Sequence, residues 1–473
     1  MVHSPSTSIA PANLSDREIM TEGVAEKDTE SSAPDILGGD EFYDRFSSSR
    51  KNSLVAIVAL ACFLSPCTSM AYLPAIDEIS QTFHTTRNII NISNGVYCVV
   101  MAISPCIMSP MGDVYGRRMT FLLCTVGFTV STVLVAVSQN LAMFFVFRCC
   151  CALFGTAFFS VGGNVVGDIY LPHQRGNAMG WILSGSQVGS AFSPVIGGII
   201  MTYTHWRVIF WVLVGLGAVT FAVSLFFLPE TARTTVAKEI RKEHPGKRLI
   251  FVPYNPLRVV LALRYPNLLL IGIVSMSLVY NMYTLLTPIR AVIDPRFHLT
   301  TPVYGALFYL APGMGYFLGT FAGGRWADRY VKKYAKIRGV RIPEDRLRST
   351  YFAYGFVIPA GMLVYGWSLE KEKGGMALPI IALFFSGFSQ TIVFPSVNAY
   401  CVDSLPELKG DAVASNYFIR YIGGGVGTAT CVYQIDSIGI GWSSTISAFV
   451  LWGGFAACCV LIRYGEKLKK PMF

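Results

Sequence analysis

The chain has 473 residues, of which 53% are hydrophobic and 14% are charged. Soluble domains carry about 25% charged residues, so this composition excludes a soluble globular protein and predicts a chain embedded in lipid. The net charge of +10 is concentrated in loops between apolar runs. That distribution is typical of the charge bias that orients membrane proteins, and it argues against nucleic-acid binding.

The first fifty residues differ in composition from the rest. They contain the polar, acidic stretch TEGVAEKDTESSAPD, which has no apolar periodicity. Such a segment cannot bury enough apolar surface to fold, so residues 1–50 are predicted to form a disordered cytoplasmic tail. The N-terminus lacks the features of a cleavable signal peptide, and we expect the first apolar run, which starts at Ser53, to direct membrane insertion.

Twelve apolar runs follow this tail. Each is close to or longer than the roughly 20 residues that a helix needs to cross a bilayer core. Because the runs are apolar on every face and do not alternate, they predict helices and not the strands of a β-barrel. The predicted fold is therefore an all-α polytopic membrane protein, with spans near residues 53–76, 89–111, 119–138, 141–164, 177–203, 208–228, 267–289, 303–324, 350–368, 376–399, 412–435 and 441–462.

Lysine and arginine residues collect in alternate loops. Basic loops remain in the cytoplasm, so the pattern predicts a multi-pass protein of the cell membrane with both termini cytoplasmic; an internal membrane is the alternative. A long basic loop, residues 229–266, separates a six-helix bundle at 51–228 from a second bundle at 267–463. Residues 464–473 are predicted to form a second cytoplasmic tail.

Two charged motifs occur once in each predicted bundle. GDVYGRR, after the second span, is echoed by WADRYVKK after the eighth, and both place an aspartate four residues before a basic residue. DIYLPHQRG, after the fourth span, is echoed by DSLPELKG after the tenth. Repetition of both motifs in the same order predicts two pseudo-symmetric halves, as in secondary transporters. Their charged residues form the predicted conformational latch: Asp113, Arg117, Arg118, Asp168, Asp328, Lys332 and Asp403.

These motifs resemble signatures of the major facilitator superfamily. GDVYGRR and GRWADRYVKK are similar to its loop signatures between helices two and three and between helices eight and nine. FRCCCALFGTAF, with Arg148 and Gly155, resembles the fourth-helix signature of its proton-coupled exporters, and SGSQVGSAFSPVIGG resembles its antiporter signature. Over residues 53–463 the chain is most similar to the twelve-helix drug:proton antiporter family of fungi. Ser109 is a departure, because the family usually has glycine there.

The resemblance implies the major facilitator fold and export of a small organic molecule by alternating access, in exchange for protons and without a cofactor. It also implies that Asp113 faces the N-terminus of the eleventh helix, near Asp411, where the helix dipole favours a carboxylate. Arg117 and Arg118 are expected to reach Asp168, and this cluster must separate when the cytoplasmic side opens. The alternative is that both arginines only anchor their loop on the cytoplasmic side.

Small residues recur every four positions in the fifth span. This ridge lets another helix approach closely, and the proline within it removes a backbone hydrogen bond where the two halves would rock past each other. Simple helix packing with no coupling role is the alternative. The residues of this predicted antiporter signature are Gly185, Gly189, Ser193, Pro194, Gly197 and Gly198.

Two arginines lie inside predicted spans, while no aspartate or glutamate occupies the middle of any span. Charges in lipid are costly and are functional by default. A buried guanidinium offers a planar set of donors that suits a carboxylate, so Arg148 and Arg420 favour an organic acid or acidic secondary metabolite as cargo. The alternative cargo is a cation, which would make the protein a multidrug or polyamine proton antiporter. For Arg148 alone, the alternative is a structural hydrogen bond to backbone at a helix break.

Other polar residues within the spans are candidates for lining a central pathway. Asparagine, glutamine and tyrosine at these positions alternatively form hydrogen bonds between helices. The predicted substrate and proton pathway comprises Arg148, Asn164, Gln187, Tyr280, Asn281, Tyr283, Gln390, Asn398 and Arg420.

Other functional classes receive little support from the sequence. All six histidines fall outside the spans, and no nucleophile with a base, metal-ligand spacing or phosphate-binding loop is visible, so an enzyme, a metal site and ATP coupling are not expected. An importer or a non-transporting sensor of the same fold stays open, because alternating access has no intrinsic direction. The expected partners are a small-molecule substrate and membrane lipid, with the chain acting as a monomer.

Overall fold

The computed structural model describes residues 45–170, 175–232, 235, 255–299, 301–339, 342–405 and 408–471, except for the side chains at 175–177, 328 and 409. Every regular element within these ranges is a helix. The predicted tail at 1–50 lies outside the described residues up to position 44, and the first helix begins at Ser48. Most of the predicted central loop lies outside them as well.

Six long helices form the first half of the chain, which we call the N half. The first helix is extended by the short helices Leu73–Ala75 and Ile76–Thr82. The long helices are α1 (Ser48–Met70), α2 (Arg87–Tyr115), α3 (Arg117–Ala136), α4 (Leu141–Ile169), α5 (Arg175–Tyr203) and α6 (Trp206–Phe227).

Six further helices form the second half, the C half. Short helices at Leu257–Leu261, Ile289–Arg296, Pro302–Leu307 and Glu344–Leu347 flank them. The long helices are α7 (Pro266–Leu286), α8 (Leu310–Arg338), α9 (Ile358–Glu370), α10 (Ala377–Ser404), α11 (409–438) and α12 (440–464). The all-α membrane fold predicted from twelve apolar runs is confirmed.

Eight helical segments of the described chain are long and apolar enough to cross a membrane, and a bent pair around α9 makes nine. One of the eight, Gly410–Tyr464, contains both α11 and α12. The helices α5 and α8 are not among these segments. They pack against each other, and the glycines that both contain allow a close contact between the halves.

The structure differs most from the predicted spans at the end of α8 and at the join of α11 and α12. The helix α8 continues 14 residues past the predicted end at 324, as far as Arg338, and Gly339 with a φ of 76° terminates it. The helices α11 and α12 are joined by one non-helical residue, Gly439, with a φ of 82°. A side chain at Gly439 would contact the carboxylate of Glu370, and Glu370 Oε2 accepts a hydrogen bond from Gly441 N at 3.3 Å.

The glycine ridge of α5 faces α1, in the same half. A Cβ at Gly185 would lie 2.5 Å from the carbonyl oxygen of Ala59, and one at Gly189 would lie 2.6 Å from that of Phe63. A Cβ at Gly197 would overlap the carbonyl oxygen of Ala71. The helix α5 continues without interruption through Pro194. The ridge therefore sets the spacing of two helices within the N half.

One glycine of the predicted signature has a different neighbour. Gly198 faces Ala306, which precedes α8 in the C half. About two turns earlier on α5, Ala191 and Phe192 contact Gly313 of α8. The interface between the halves on this side is thus formed by small residues, which lets the two backbones approach closely.

Candidate functional site

A cavity of about 550 Å³ lies between the two halves. This volume is in the range of sites that hold one drug-sized molecule, which is about 300–1,000 Å³. It lies toward the end of the bundle that carries Arg117 and Arg346, which we call the basic end. Its walls come from five long helices and from Arg346 of the short helix Glu344–Leu347. They include Phe159, Gly163, Met179, Trp181, Ile182, Ser184, Gln187, Phe321, Arg325, Arg346, Phe394, Asn398, Asp403 and Tyr417.

Aromatic contacts join the halves on two sides of the cavity. Phe159 of α4 stacks on Tyr417 of α11, with ring centroids 5.8 Å apart and planes at 17°. Trp181 of α5 contacts Phe321 of α8 edge to face, with centroids 5.6 Å apart. Each pair takes one ring from each half, so both contacts must change when the halves move apart at the basic end.

Arg420 lies one side-chain layer behind the cavity wall. Its Cζ atom is 4.4 Å from the ring centroid of Phe394 and 5.1 Å from that of Tyr417, and both rings line the cavity. Only 4% of its surface is exposed. Among the described residues, neither Nε nor Nη1 of this guanidinium has a hydrogen-bond partner. Arg420 is therefore a buried cation with unused donors beside the cavity.

Two neutral amides line the cavity, Gln187 and Asn398. Gln187 is buried and its Nε2 atom has no hydrogen-bond partner within the described chain. Asn398 accepts a hydrogen bond from Asn416 Nδ2 at 3.2 Å and donates to the carbonyl oxygen of Phe394 at 3.1 Å. Of the predicted pathway, Gln187 and Asn398 line the cavity and Arg420 lies directly behind it.

Arg148 belongs to a separate hydrogen-bonded chain. It is fully buried, and its Nη2 atom donates to Asn94 Oδ1 at 3.0 Å. Ser69 Oγ donates to the same oxygen at 3.1 Å and lies 3.3 Å from the hydroxyl of Tyr283. The guanidinium also stacks over Tyr72, with Cζ 3.9 Å from the ring centroid. This chain, which we call the cross-half network, links α4, α2 and α1 of the N half to α7 of the C half.

Besides Arg148, Tyr283 and Arg420, four further predicted pathway residues are not among the described residues that line the cavity: Asn164, Tyr280, Asn281 and Gln390. Asn164 donates to Ser109 Oγ at 3.4 Å, so the serine that replaces the usual glycine supplies a hydrogen-bond acceptor. Gln390 accepts from the Tyr316 hydroxyl at 3.1 Å. Asn281 is buried, and neither atom of its amide has a partner in the described part of the chain.

Charged residues cluster at the basic end of the N half. Arg117 contacts Asp113 Oδ1 through Nη1 at 2.7 Å and Asp168 Oδ2 through Nε at 3.2 Å. The Arg118 side chain instead donates to the carbonyl oxygen of Leu225 at 2.9 Å. The backbone N–H groups of Arg117 and Arg118 donate to the carboxylate of Glu230 at 2.9 Å and 3.3 Å. Glu230 thus caps the N-terminus of α3, as expected for a carboxylate at a helix start.

Arg258 connects this cluster to the C half. Its Nε atom lies 2.6 Å from Asp411 Oδ2, at the start of α11, and its Nη2 atom lies 3.8 Å from Asp113 Oδ2. The hydrogen bond to Asp411 raises the pKa of Arg258 above its usual value. The sequence did not indicate this arginine, which lies near the end of the central loop. Asp113, Arg117, Asp168, Arg258 and Asp411 together form what we call the charge cluster.

The second-half echo of the latch is described only in part. The side chain of Asp328 lies outside the described residues, and Lys332 is exposed. Asp403, the counterpart of Asp168, lies 3.8 Å from Arg346. Asp403 and Arg346 both line the cavity, so this pair stands at its basic rim.

Comparison with known proteins identifies the family. The sequence profile of the Major Facilitator Superfamily matches residues 58–428. The chain belongs to this superfamily. It is 29% identical to the MFS-type transporter hepF of Aspergillus oryzae, over 88% of this chain and 89% of that protein. It is 28% identical to the efflux pump radE of Floropilus chiversii, over 89% of this chain and 81% of that protein.

A solved structure of the superfamily has the same fold. The human organic anion transporter MFSD10 (TETRAN) superposes with a TM-score of 0.61 at 15% identity, covering 86% of this chain and 99% of that protein. At this identity the likeness shows the fold alone. The protein is accordingly a membrane-embedded secondary transporter of the Major Facilitator Superfamily and not an enzyme, as the sequence predicted.

We expect Arg117→Gln to loosen the basic end of this transporter. The side chain is largely buried and holds two carboxylates, and hydrogen bonds to charged groups contribute roughly 1.5–3 kcal/mol each. Hydrogen–deuterium exchange should therefore rise by about tenfold in the peptides that contain Asp113 and Asp168. The control is Arg87→Gln, which breaks an exposed ion pair with Asp77 and should leave exchange unchanged. Unchanged exchange in Arg117→Gln would contradict a latch.

Proposed function

We propose that this secondary transporter exports a small organic acid, with Arg420 as the residue that holds the carboxylate. The observation that supports this most is the position of Arg420, buried beside the cavity with two unused donor atoms. A guanidinium presents its donors in a plane, which matches the two oxygens of a carboxylate. An anionic cargo would supply the counter-charge that the described surroundings of Arg420 lack.

Electrostatics favours an anion over a cation in this cavity. Burying a charge without a partner in a protein costs roughly several kcal/mol of free energy. Bringing a second cation close to Arg420 would add to that cost, whereas a carboxylate would lower it. The rings of Phe394 and Tyr417 separate the guanidinium from the cavity, so we expect one of them to turn aside when cargo binds.

Arg148 is assigned a different role from the one that the sequence favoured. Its Nη2 atom donates to Asn94 and its guanidinium stacks on Tyr72 in the cross-half network, while Nε and Nη1, like those of Arg420, have no partner among the described residues. It is not among the described residues of the cavity wall. We therefore propose that Arg148 joins the halves and does not contact the cargo.

Export and proton exchange are part of the proposal. The cavity lies at the basic end, which the positive-inside rule assigns to the cytoplasm along with both termini, so cargo would enter from the cytoplasm. The relative radE is named an efflux pump, which supports the same direction. We propose protons as the coupling ion, the cell membrane as the location and a monomer, surrounded by lipid, as the functional unit.

Transport by purified protein in proteoliposomes tests the proposal. Vesicles are loaded with a panel of radiolabelled carboxylic acids or, separately, with cationic drugs and polyamines, and counterflow is measured with and without an imposed pH gradient. We expect counterflow of at least one acid, faster when protons can flow in the opposite direction. Counterflow of cations alone would overturn the proposal and support a multidrug or polyamine antiporter instead.

Arg420→Gln is the variant that assigns the binding residue. We expect acid transport to fall by about tenfold or more, because charge-assisted hydrogen bonds contribute roughly 1.5–3 kcal/mol. The thermal unfolding midpoint should stay the same or rise, since the variant removes a buried charge that has no described counter-ion. Arg463→Gln, at the exposed end of α12, is the control and should transport normally. Normal acid transport by Arg420→Gln would show that another group holds the carboxylate.

A further inference from the structure

A column of three parallel rings crosses the interface between the halves beside the cavity. Phe159 of the N half stacks on Tyr417, with centroids 5.8 Å apart. Tyr417 stacks in turn on Tyr421 at 6.0 Å, with planes at 14°. All three rings are at least 96% buried. Parallel ring faces accept another flat ring more favourably than a branched or saturated group.

The charge of Arg420 lies against the same column. Its Cζ atom is 5.1 Å from the centroid of Tyr417 and 5.7 Å from that of Tyr421. A guanidinium can stack on aromatic faces and pair with a carboxylate. A flat ring seated against Tyr417 would therefore bring an attached carboxylate close to the unused Nε and Nη1 atoms.

Apart from the charged side chains Arg325, Arg346 and Asp403, the remaining cavity wall favours an apolar body with few polar groups. Trp181, Phe321 and Met179 contribute apolar surface, whereas Gln187 and Asn398 are the neutral amides that face it. A small, heavily hydrated polycarboxylate would lose its water without gaining comparable hydrogen bonds. An aromatic acid would lose little hydration along its ring.

We propose that the cargo is an aromatic carboxylic acid whose ring takes the place of Phe159 against Tyr417 while its carboxylate pairs with Arg420. This inference rests on the proposed function and narrows its substrate class. Because Phe159 and Tyr417 belong to different halves, cargo that occupies the face of Tyr417 separates them. Binding of the ring thus favours the state in which the basic end is open.

Three matched probes test the inference on the full-length protein in lipid nanodiscs. Naphthoate has the ring and the carboxylate, decahydronaphthoate keeps the carboxylate on a saturated carbon skeleton, and naphthalenemethanol keeps the ring without the charge. Calorimetric titration should show naphthoate binding about tenfold more tightly than either of the other two, the scale of one well-formed aromatic contact. Tyr417→Leu should remove the preference for naphthoate over decahydronaphthoate, with both acids still bound.

The outcomes distinguish failure of the aromatic inference from failure of the proposed export of an organic acid. Equal binding of the two acids would overturn the aromatic inference and leave organic-acid export intact. Equal binding of naphthoate and naphthalenemethanol, or no binding of either acid, would overturn the proposed function itself. The control variant is Phe297→Leu, which breaks a stacked pair with Phe308 away from the cavity and should keep the full preference. If Tyr417→Leu does not fold, Phe159→Leu is tested instead, because it leaves Tyr417 in place for the cargo ring. This variant should bind naphthoate more tightly, and weaker binding would contradict the inference.

Discussion

Gly197→Val is expected to lower accumulation of the folded transporter strongly. A Cβ atom at this position would overlap the carbonyl oxygen of Ala71, directly after α1, which is backbone and cannot rotate away. Overpacking a close contact costs typically about 1–3 kcal/mol, and separating two helices forfeits their packing along the whole ridge as well. Fluorescence-detected size-exclusion chromatography of a tagged protein should show a monodisperse peak that is reduced roughly tenfold, because even 1–2 kcal/mol changes abundance several-fold.

The matched control for this change is Gly180→Val on the same helix. Nothing lies within 4 Å of a Cβ built at Gly180, so its peak should match that of the unmodified protein. Equal peaks for both variants would mean that α1 and α5 do not approach as closely as the structure has them. A reduced peak for Gly180→Val alone would contradict the assignment of the ridge to Gly185, Gly189 and Gly197.

Asn94→Leu is expected to destabilise the transporter by about 1.5–3 kcal/mol, the usual result of removing a buried hydrogen-bond partner from a charged group. Asn94 Oδ1 accepts hydrogen bonds from both Arg148 and Ser69, so the change breaks the cross-half network at its centre. The leucine side chain has the same number and branching of heavy atoms, so the change leaves no cavity and isolates the loss of the polar groups. Thermal unfolding of the purified protein in detergent measures the loss.

A second substitution should reverse this loss. Arg148→Met removes the charge that Asn94→Leu leaves without an acceptor, and replacing both members of a buried polar pair by apolar groups is often nearly neutral. The double variant should therefore recover most of the unfolding midpoint. The control is Asn91→Leu on the same helix, since Asn91 Oδ1 has no described partner. A double variant as unstable as Asn94→Leu would contradict the network.

Much of the fold follows from charge-free runs and from the repeated acidic and basic motifs. These features are local, so they can be read without knowing which helices meet. The extension of α8 to Arg338 was not predicted, because basic residues after 324 resemble a loop when only hydropathy is considered. The helix persists there because no glycine or proline interrupts it before Gly339.

The candidate site was only partly predictable. Arg420 was recognisable as a charge inside an apolar run. Tyr417 and Tyr421, on either side of it in the sequence, are four positions apart and so lie on one face of α11. Its contact with Phe394 depends on how α10 packs against α11, which no local pattern specifies. Arg258 was missed for the same reason, because it lies 145 positions after Asp113 in the sequence and resembles an ordinary basic loop residue.

The join at Gly439 has a mechanical consequence for the C half. A join of one residue, with the Glu370 carboxylate packed against it, leaves α11 and α12 little freedom to move separately, so a tilt of α11 is transmitted to α12. The cavity-facing stretch of α11 carries Tyr417, while the lipid-facing side of α12 carries Phe449, which is 64% exposed. Movement at the ring of Tyr417 would therefore be felt at the protein–lipid boundary, where bilayer thickness and lateral pressure can bias the resting conformation.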